Sequence, residues 1–435
     1  MKNYEIANNT IAQYCVDELI KLGANKAACR FGEDKMDELS AEAGKINLLR
    51  TNFGYNISIS AIIDNKKGSI SVNQPNKNAL DSAIARVLEL AKSSQPDEAH
   101  DISDFQEKKE FSKGPESANH ELMIERLDEF IEYISAKYPK TILGQVGIDF
   151  TRSTSHYCNS NGVHFTIKRG GYSFSPMFTS KEGNKASSFN YSGFSAREIT
   201  KPLHEYGTIE ELIRQSSEQI HTKPVPEKFV GDLIFTPDSI GDIFGIIAGF
   251  ISNHPIISGT SVYKDKLNQQ IASKIFTLRS MPRSEELETG YFVTGDGFEA
   301  QNSVVIENGI LKTFLLGLYG ANKTGLEKAV NSGGSWIVDA GKTPYKAMLQ
   351  NTKRGILLGR FSGGRPNDSG DFSGVAKNSY YIENGEIQYA ISETMVSGNI
   401  VEMLMNVLDI STERVNFGGK IVPFMRFGGI TVSGK

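Results

Sequence analysis

The sequence predicts an α+β fold: an N-terminal mixed helix and antiparallel-sheet region followed by a large β-rich, barrel-like C-terminal domain. Three observations carry this. Apolar residues recur at helical spacing in a few separated segments of the first half. Short alternating runs broken by Asn, Asp and Gly dominate elsewhere. The 42 glycines among 435 residues exceed the usual ~7% and gather in the last third, where tight turns between strands require them.

Residues 5–22 carry Ile6, Ile11, Tyr14, Cys15, Leu19 and Leu22 at helical spacing, ended by Gly23. Cys15 then reads as a small core residue. From Ala27 to Val72 the pattern shortens to runs such as NISISAII and GSISV, expected as antiparallel strands, and NKNALDSAIARVLELAK follows as an amphipathic helix. These make a helix–sheet–helix domain over residues 1–94. The stretch 95–118 is polar, charged and proline-containing, the composition of a linker, and His100 and His120, in or beside it, are expected to be solvated. The middle region, 119–222, opens on a helix striped by Met123, Leu127, Phe130, Ile131 and Ile134. VGIDFT and VHFTI then alternate around NSNG, a hairpin signal because Asn-Gly tolerates positive φ, and leave His164 on the solvent parity. Thr208 and Glu211 have capping-box spacing at the start of a helix reaching about Ile220.

The prolines of HTKPVPEK mark the next boundary, and residues 229–435 form the C-terminal domain. Its main helix is TPDSIGDIFGIIAGFISNHP, with Thr236 at the cap and Pro237 in the first turn. Gly241, Gly245 and Gly249 recur every fourth residue, a flat stripe on which another backbone could pack. VIENGILKTFL (305–315) and YIENGEIQYAI (381–391) each read as strand, Asn-Gly turn and returning strand. Their surroundings differ, so they are a recurring hairpin and not a duplicated domain.

Composition narrows the function classes. A formal charge of 47 − 51 = −4, with no long basic run, gives no electrostatic footprint for nucleic acid. The start MKNYEIANNT lacks a basic region followed by an apolar core, and the stretch around IFGIIAGFI is too short to span a bilayer. A cytoplasmic protein without membrane attachment is the expectation. Cys15, Cys29 and Cys158 are too scattered for a zinc ribbon and odd in number for a disulfide framework. None of the seven histidines stands four or five residues from another, so no single helix offers zinc two imidazoles in the usual way.

Known catalytic patterns fail at identifiable places. His204-Glu205 begins like a zinc-protease motif, but positions 208 and 209 are Thr and Ile. No G-x-S-x-G elbow occurs; Ser261-Val-Tyr-Lys264 and Lys323-Thr-Gly325 imitate a penicillin-binding site without its S-D-N element. Gly341-Lys342-Thr343 has no glycine five residues before it and is no phosphate loop. SGGRPNDSGDFSG lacks a strand-then-helix context and is expected as a surface loop near a binding cleft.

The stretches SGTSVYKDKLNQQI, VIENGILKTFLL, the SGG at 332–334, SGDFSG and YIENGEIQYAISETMVSGN, in this order and spacing, resemble the TldD/PmbA family. Its members are also called modulators of DNA gyrase, and the likeness is greater to the PmbA (TldE) branch. The resemblance implies a two-lobed chain with a large β-rich C-terminal domain. In the TldD branch it implies an H-E-x-x-x-H zinc motif on a helix before a G-T-S element, completed by a cysteine near the C-terminus. Two imidazoles and a thiolate would hold zinc there, with the glutamate as general base on its water. Aligning Gly259-Thr260-Ser261 puts Phe244 and Gly249 at the histidine positions and Gly245 at the glutamate, and no cysteine follows Cys158.

The resemblance thus implies a chain with no catalytic residue, metal ligand or cofactor of its own. It would pair with a zinc-bearing TldD-like subunit, or with itself, in a system that degrades or matures peptides. Phe244, Gly249, Tyr263 and the Ser369-Gly370-Asp371 loop are the candidate walls of a peptide cleft, which an extended strand would enter by main-chain pairing. Two alternatives stay open. One is an independent hydrolase with a site assembled from distant residues, for example an Asp or Glu with His254; the other is a homodimeric binding module for a peptide or protein.

Overall fold

In the computed structural model, which describes residues 6–392 and 394–434, the first half of the chain builds one sheet. Residues 1–5 of the opening segment, Glu393 of the YIENGEIQYAISETMVSGN stretch and Lys435 lie outside the described residues. The order is α1 (Ile11–Lys21), β1 (Lys26–Glu42), β2 (Lys45–Ile63), β3 (Lys66–Val72), α2 (Lys77–Ser93), β4 (Lys109–Lys113), α3 (His120–Lys137), β5 (Thr141–Asn159) and β6 (His164–Glu182). Three short strands, β7 (Lys185–Ala186), β8 (Asn190–Tyr191) and β9 (Phe194–Ala196), pair with β6, and α4 (Ile209–Glu218) follows. The main path is β3-β2-β1-β5-β6-β4.

Strict alternation keeps this sheet two-faced. One face buries Cys29, Phe31, Ile57 and Ile59 under α1 and α2, and Ile148, Phe150, Phe174 and Phe178 under α3 and α4. Cys15 and Cys158 are buried in the first of these cores. Asn76 and Asn119 cap α2 and α3 by accepting the N–H groups of Ala79 and Leu122, each at 3.0 Å. Close approach of α2 to the sheet requires Gly68, where a Cβ would lie 2.3 Å from the Val87 carbonyl oxygen.

The stretch 95–118 is not a loose linker. It supplies β4, parallel to β6, and buries Ile102, Ser103 and Phe111. Asn159, at the NSNG turn, donates to the Ser103 carbonyl (2.8 Å) and hydroxyl (2.9 Å), so this segment is tied to the β5–β6 hairpin. Because strands from 1–94 and 119–222 share the sheet, the two regions form one body and not two domains. His100 is half-buried and stacks on Tyr319 with ring centroids 5.0 Å apart, whereas His120 is exposed, as expected of it. His164 is half-buried.

The second half contains β10 (Phe229–Phe235), α5 (Pro237–Phe250), α6 (Asn253–Ser258), β11 (Leu278–Ser280), β12 (Ser303–Glu307), β13 (Ile310–Leu311), α7 (Leu318–Thr324), β14 (Trp336–Val338), α8 (Tyr345–Gln350) and β15 (Arg354–Leu358). It continues with β16 (Arg360–Gly363), β17 (Asp371–Lys377), β18 (Ser379–Glu383), β19 (Glu386–Ile391), β20 (Thr394–Asn399), α9 (Ile400–Met405), β21 (Val407–Asn416) and β22 (Ile421–Ser433). The main path is β13-β12-β11-β14-β22-β10-β15-β18-β19, with β16, β17, β20 and β21 branching from it. The sheet is open: the path ends at β13 and β19, so the barrel-like closure expected from the sequence does not occur. β22 is the branch point, antiparallel to β10, β20 and β21 and parallel to β14. Both Asn-Gly hairpins form, with positive φ at Asn308, Gly309, Asn384 and Gly385, the conformation of the tightest hairpin turns. Among the described residues no helix is long and apolar enough to cross a membrane.

Candidate functional site

α5 positions the site. Pro237 occupies its first turn, and Ile240, Ile243, Phe244, Ile247 and Ile251 turn inward onto Leu233, Val422, Met425 and Phe427 of the sheet. The helix bears Asp238 at its N-terminus, where the helix dipole favours a negative charge. Asp238 accepts from the Thr208 hydroxyl (2.8 and 2.7 Å to its two oxygens) and from Ser192 (3.2 Å). Burial raises its pKa against the lowering effect of these hydrogen bonds and of nearby Lys420. This replaces the expected capping box: the Thr208 side chain makes no cap bond, and Glu211 binds Arg214 and Gln215.

The opposite face of α5 is bare. A Cβ at Gly245 or Gly249 would meet nothing within 4 Å, while one at Gly241 would lie 2.3 Å from Lys420 Nζ. The stripe is therefore not a seat for another backbone along its outer two thirds. It forms one wall of a groove of 770 Å³, within the range of small-molecule and peptide-side-chain pockets. Phe250, His254 and Thr260 continue that wall, Phe361, Gly363, Gly364, Arg365, Pro366, Asp368 and Phe372 form the other, and Ile400 and Met403 lie at its base. Phe361 and Phe372 meet edge to face, with centroids 5.9 Å apart. Among the described residues β16, which carries Phe361, pairs with β17 alone, so its other edge is available for main-chain pairing.

Of the expected cleft residues, the groove gathers Gly249 together with Gly245. Phe244 is fully buried in the core, because one step along a helix turns the side chain by about 100° away from its neighbour Gly245. Tyr263 is also buried, edge-on behind Phe250 at 5.9 Å; among the described residues its hydroxyl has no hydrogen-bond partner, and burial raises its pKa. Ser369, Gly370 and Asp371 sit beside the groove, not in it. Asn399 donates to the Ser369 carbonyl (2.9 Å) and to Asp371 (2.8 Å), which ties this turn to the N-terminus of α9. The Asn399 bond to its carboxylate, with one from Asn367, lowers the Asp371 pKa. Arg365 and Asp368 also line the groove, on the Gly-rich stretch whose composition marks a loop near a cleft but not which of its side chains face it.

Zinc requires several N, O or S donors converging at roughly 2.0–2.3 Å. Here Phe244 points into the core, Gly245 and Gly249 carry no side chain, and His254 is the one imidazole on the groove walls. No group of three His, Cys, Asp or Glu side chains that could hold a metal ion occurs among the described residues. The donor set in this groove does not fit a zinc ion.

Residues 229–434 match the family model described as the PmbA/TldA metallopeptidase C-terminal domain. The chain is 25% identical over 390 residues to the metalloprotease PmbA homolog of Haemophilus influenzae, covering 84% of this chain and 83% of that protein. In fold it resembles TldE from Thermococcus kodakarensis, with a TM-score of 0.83, 20% identity and coverage of 97% and 99%. It also resembles a candidate modulator of DNA gyrase from Bacteroides thetaiotaomicron, with a TM-score of 0.87, 21% identity and coverage of 98% and 99%. The quoted motifs, the family match over residues 229–434 and the near full-length likeness agree: residues 229–434 form a PmbA/TldD-type C-terminal domain, and the chain as a whole is similar to PmbA proteins.

Proposed function

We propose that this chain is a PmbA/TldE-like, non-catalytic subunit of a TldD-type metallopeptidase system that degrades or matures peptides in the cytoplasm. The observation that carries the reading is the bare face of α5: at the positions where a zinc motif would project, Gly245 and Gly249 open onto the groove and Phe244 is turned into the core. Zinc and the general base then belong to a TldD-like partner in a heterodimer. This subunit offers a wall against which an extended peptide lies, its main chain beside the open edge of β16 and its side chains between Phe361, Phe372 and the glycines.

The test is purification of the chain alone and together with a TldD-like chain from its native cell. The isolated chain should contain no tightly bound zinc and should not turn over casein or short peptides; the pair should turn them over and lose activity on chelation. Stoichiometric zinc in the isolated chain, with chelator-sensitive turnover, overturns the proposal. Recovery of the chain only as a homodimer, with no TldD-like partner, overturns the heterodimer.

A further inference from the structure

A second pocket lies far from α5 in sequence, on the helix-free face of the N-terminal sheet. Its base is polar because of the NISIS and GSISV alternation: the isoleucines pack under α2, and Ser58, Ser60, Ser69 and Ser71 face the other way. Strand register places these serines in adjacent cross-strand pairs, Ser58↔Ser71 and Ser60↔Ser69, with Arg30 opposite Ser58. The segment Thr294–Gly297 from the second half roofs one side of the pocket, a depression of 520 Å³ in which Ser58, Ser69 and Ser71 stay exposed. Gln106 holds that roof in place by donating to the Gly297 carbonyl (2.9 Å) and accepting from the Glu299 N–H (2.9 Å).

The charges inside are unevenly matched. Arg30 is fixed by one hydrogen bond to the Thr294 carbonyl (3.0 Å) and by the Tyr157 ring, 5.1 Å from its guanidinium carbon. Among the described residues its remaining N–H groups have no hydrogen-bond partner and no carboxylate lies within ion-pair distance. Arg30 is half-buried, and burial lowers its pKa against the opposing pull of the nearby Asp296 carboxylate, so a guanidinium with N–H groups to spare faces the pocket. Lys67, exposed at the rim, has no ion-pair partner either. Both acids of the lining are engaged: Asp101 by Lys26 and the Ile102 N–H, Asp296 by the Thr294 hydroxyl and the Leu318 N–H.

We propose that this pocket binds a small phosphate monoester with a hydroxylated body, its phosphate held by Arg30 at one corner and its hydroxyl groups by the serine rows and by Lys67 at the opposite corner. A guanidinium fork suits a tetrahedral oxyanion. Serine hydroxyls donate and accept, as sugar-like hydroxyls do. The volume far exceeds what one phosphate ion fills, given ~30 Å³ for each water-sized group. The inference is independent of the peptidase reading and can fail without it.

Calorimetric titration with glucose 6-phosphate, inorganic phosphate and glucose tests it. The ester should bind saturably and more tightly than inorganic phosphate, and glucose should not bind. Arg30→Gln should weaken the ester about tenfold or more, and Lys67→Gln about threefold. Should Arg30→Gln fail to fold, Lys67→Gln carries the test, since its exposed side chain holds nothing else together. Absence of saturable ester binding, an ester no tighter than inorganic phosphate, or an affinity unchanged by Lys67→Gln overturns the proposal.

Discussion

The Thr208 hydroxyl reaches both carboxylate oxygens of Asp238, at 2.8 and 2.7 Å, and so joins the start of α4 to the first turn of α5. Thr208→Val keeps the shape and leaves the buried carboxylate to Ser192 alone, which should cost about 1–3 kcal/mol in urea unfolding. The deficit should depend on pH. Burial raises the Asp238 pKa above its ordinary 3.8, so the folded state holds the proton longer than the unfolded one. Stability from this group is therefore present below pH 3.8 and lost as pH rises through the folded pKa. Removing a bond that favours the charged form raises that pKa further, and the variant should lose more stability than the parent as pH rises above 3.8.

Asp149 offers a separate pH test. Burial, then the nearby Glu38 charge, push its pKa up to about 6, and its Oδ1 has no hydrogen-bond partner. Its contribution should again be lost as pH rises, here from about 4 through about 6. Asp149→Asn should flatten that slope and stabilise the protein at pH 7.5 by about 1 kcal/mol, with solvent screening of this half-buried group allowed for. Equal slopes for parent and variant would refute the assignment.

The glycines of α5 should respond unequally. At Gly245 and Gly249 alanine meets no neighbour and rigidifies the unfolded chain, so each change should stabilise by roughly 0.5–1 kcal/mol. Gly241→Ala must displace Lys420 Nζ and should not gain. Gly249→Trp should leave folding intact and fill the groove. Peptide turnover by the assembled pair should then fall at least about tenfold, equivalent to ~1.4 kcal/mol.

Two positive-φ glycines separate backbone conformation from crowding. Gly325, at the end of α7, has no neighbour within 4 Å, whereas a Cβ at Gly309 would lie 2.2 Å from the Ala272 carbonyl oxygen. Gly325→Ala should cost roughly 1 kcal/mol and Gly309→Ala 2 kcal/mol or more, read as shifts in unfolding midpoint.

Local signals were legible in the sequence where local physics decides the outcome. The Asn-Gly pairs at 308–309 and 384–385 marked hairpins because few residues tolerate positive φ, and α2 declared itself through a stripe that is buried from Leu80 to Ala91. Long-range partners were not legible. Capping-box spacing at Thr208 and Glu211 could not reveal that the hydroxyl would find Asp238 in another helix. The polar 95–118 stretch hid β4, whose partner β6 begins some fifty residues later. The spacing of Gly241, Gly245 and Gly249 defined a flat face but not what lies opposite it: a lysine at one end and open space along the rest. For the same reason the sequence could place Phe244 next to Gly245 without showing that the first faces the core and the second the groove.

The central place of β22 bears on how the protein is made. Phe229 pairs with Val432 and Phe235 with Met425, so β10 acquires one of its two neighbours only after roughly two hundred further residues have left the ribosome. At ~5–20 residues per second this is a wait on the order of ten to forty seconds. Throughout it, Leu233, Phe235 and the inward face of α5 lack the β22 surface that finally covers them. The N-terminal sheet waits less, since β1 to β3 and β5 to β6 close as consecutive hairpins and β1 meets β5 after the shorter interval that separates Ala28 from Asn159. Synthesis therefore places a finished half beside an apolar, unfinished one, and it is the second half that would engage a holding chaperone on the nascent chain.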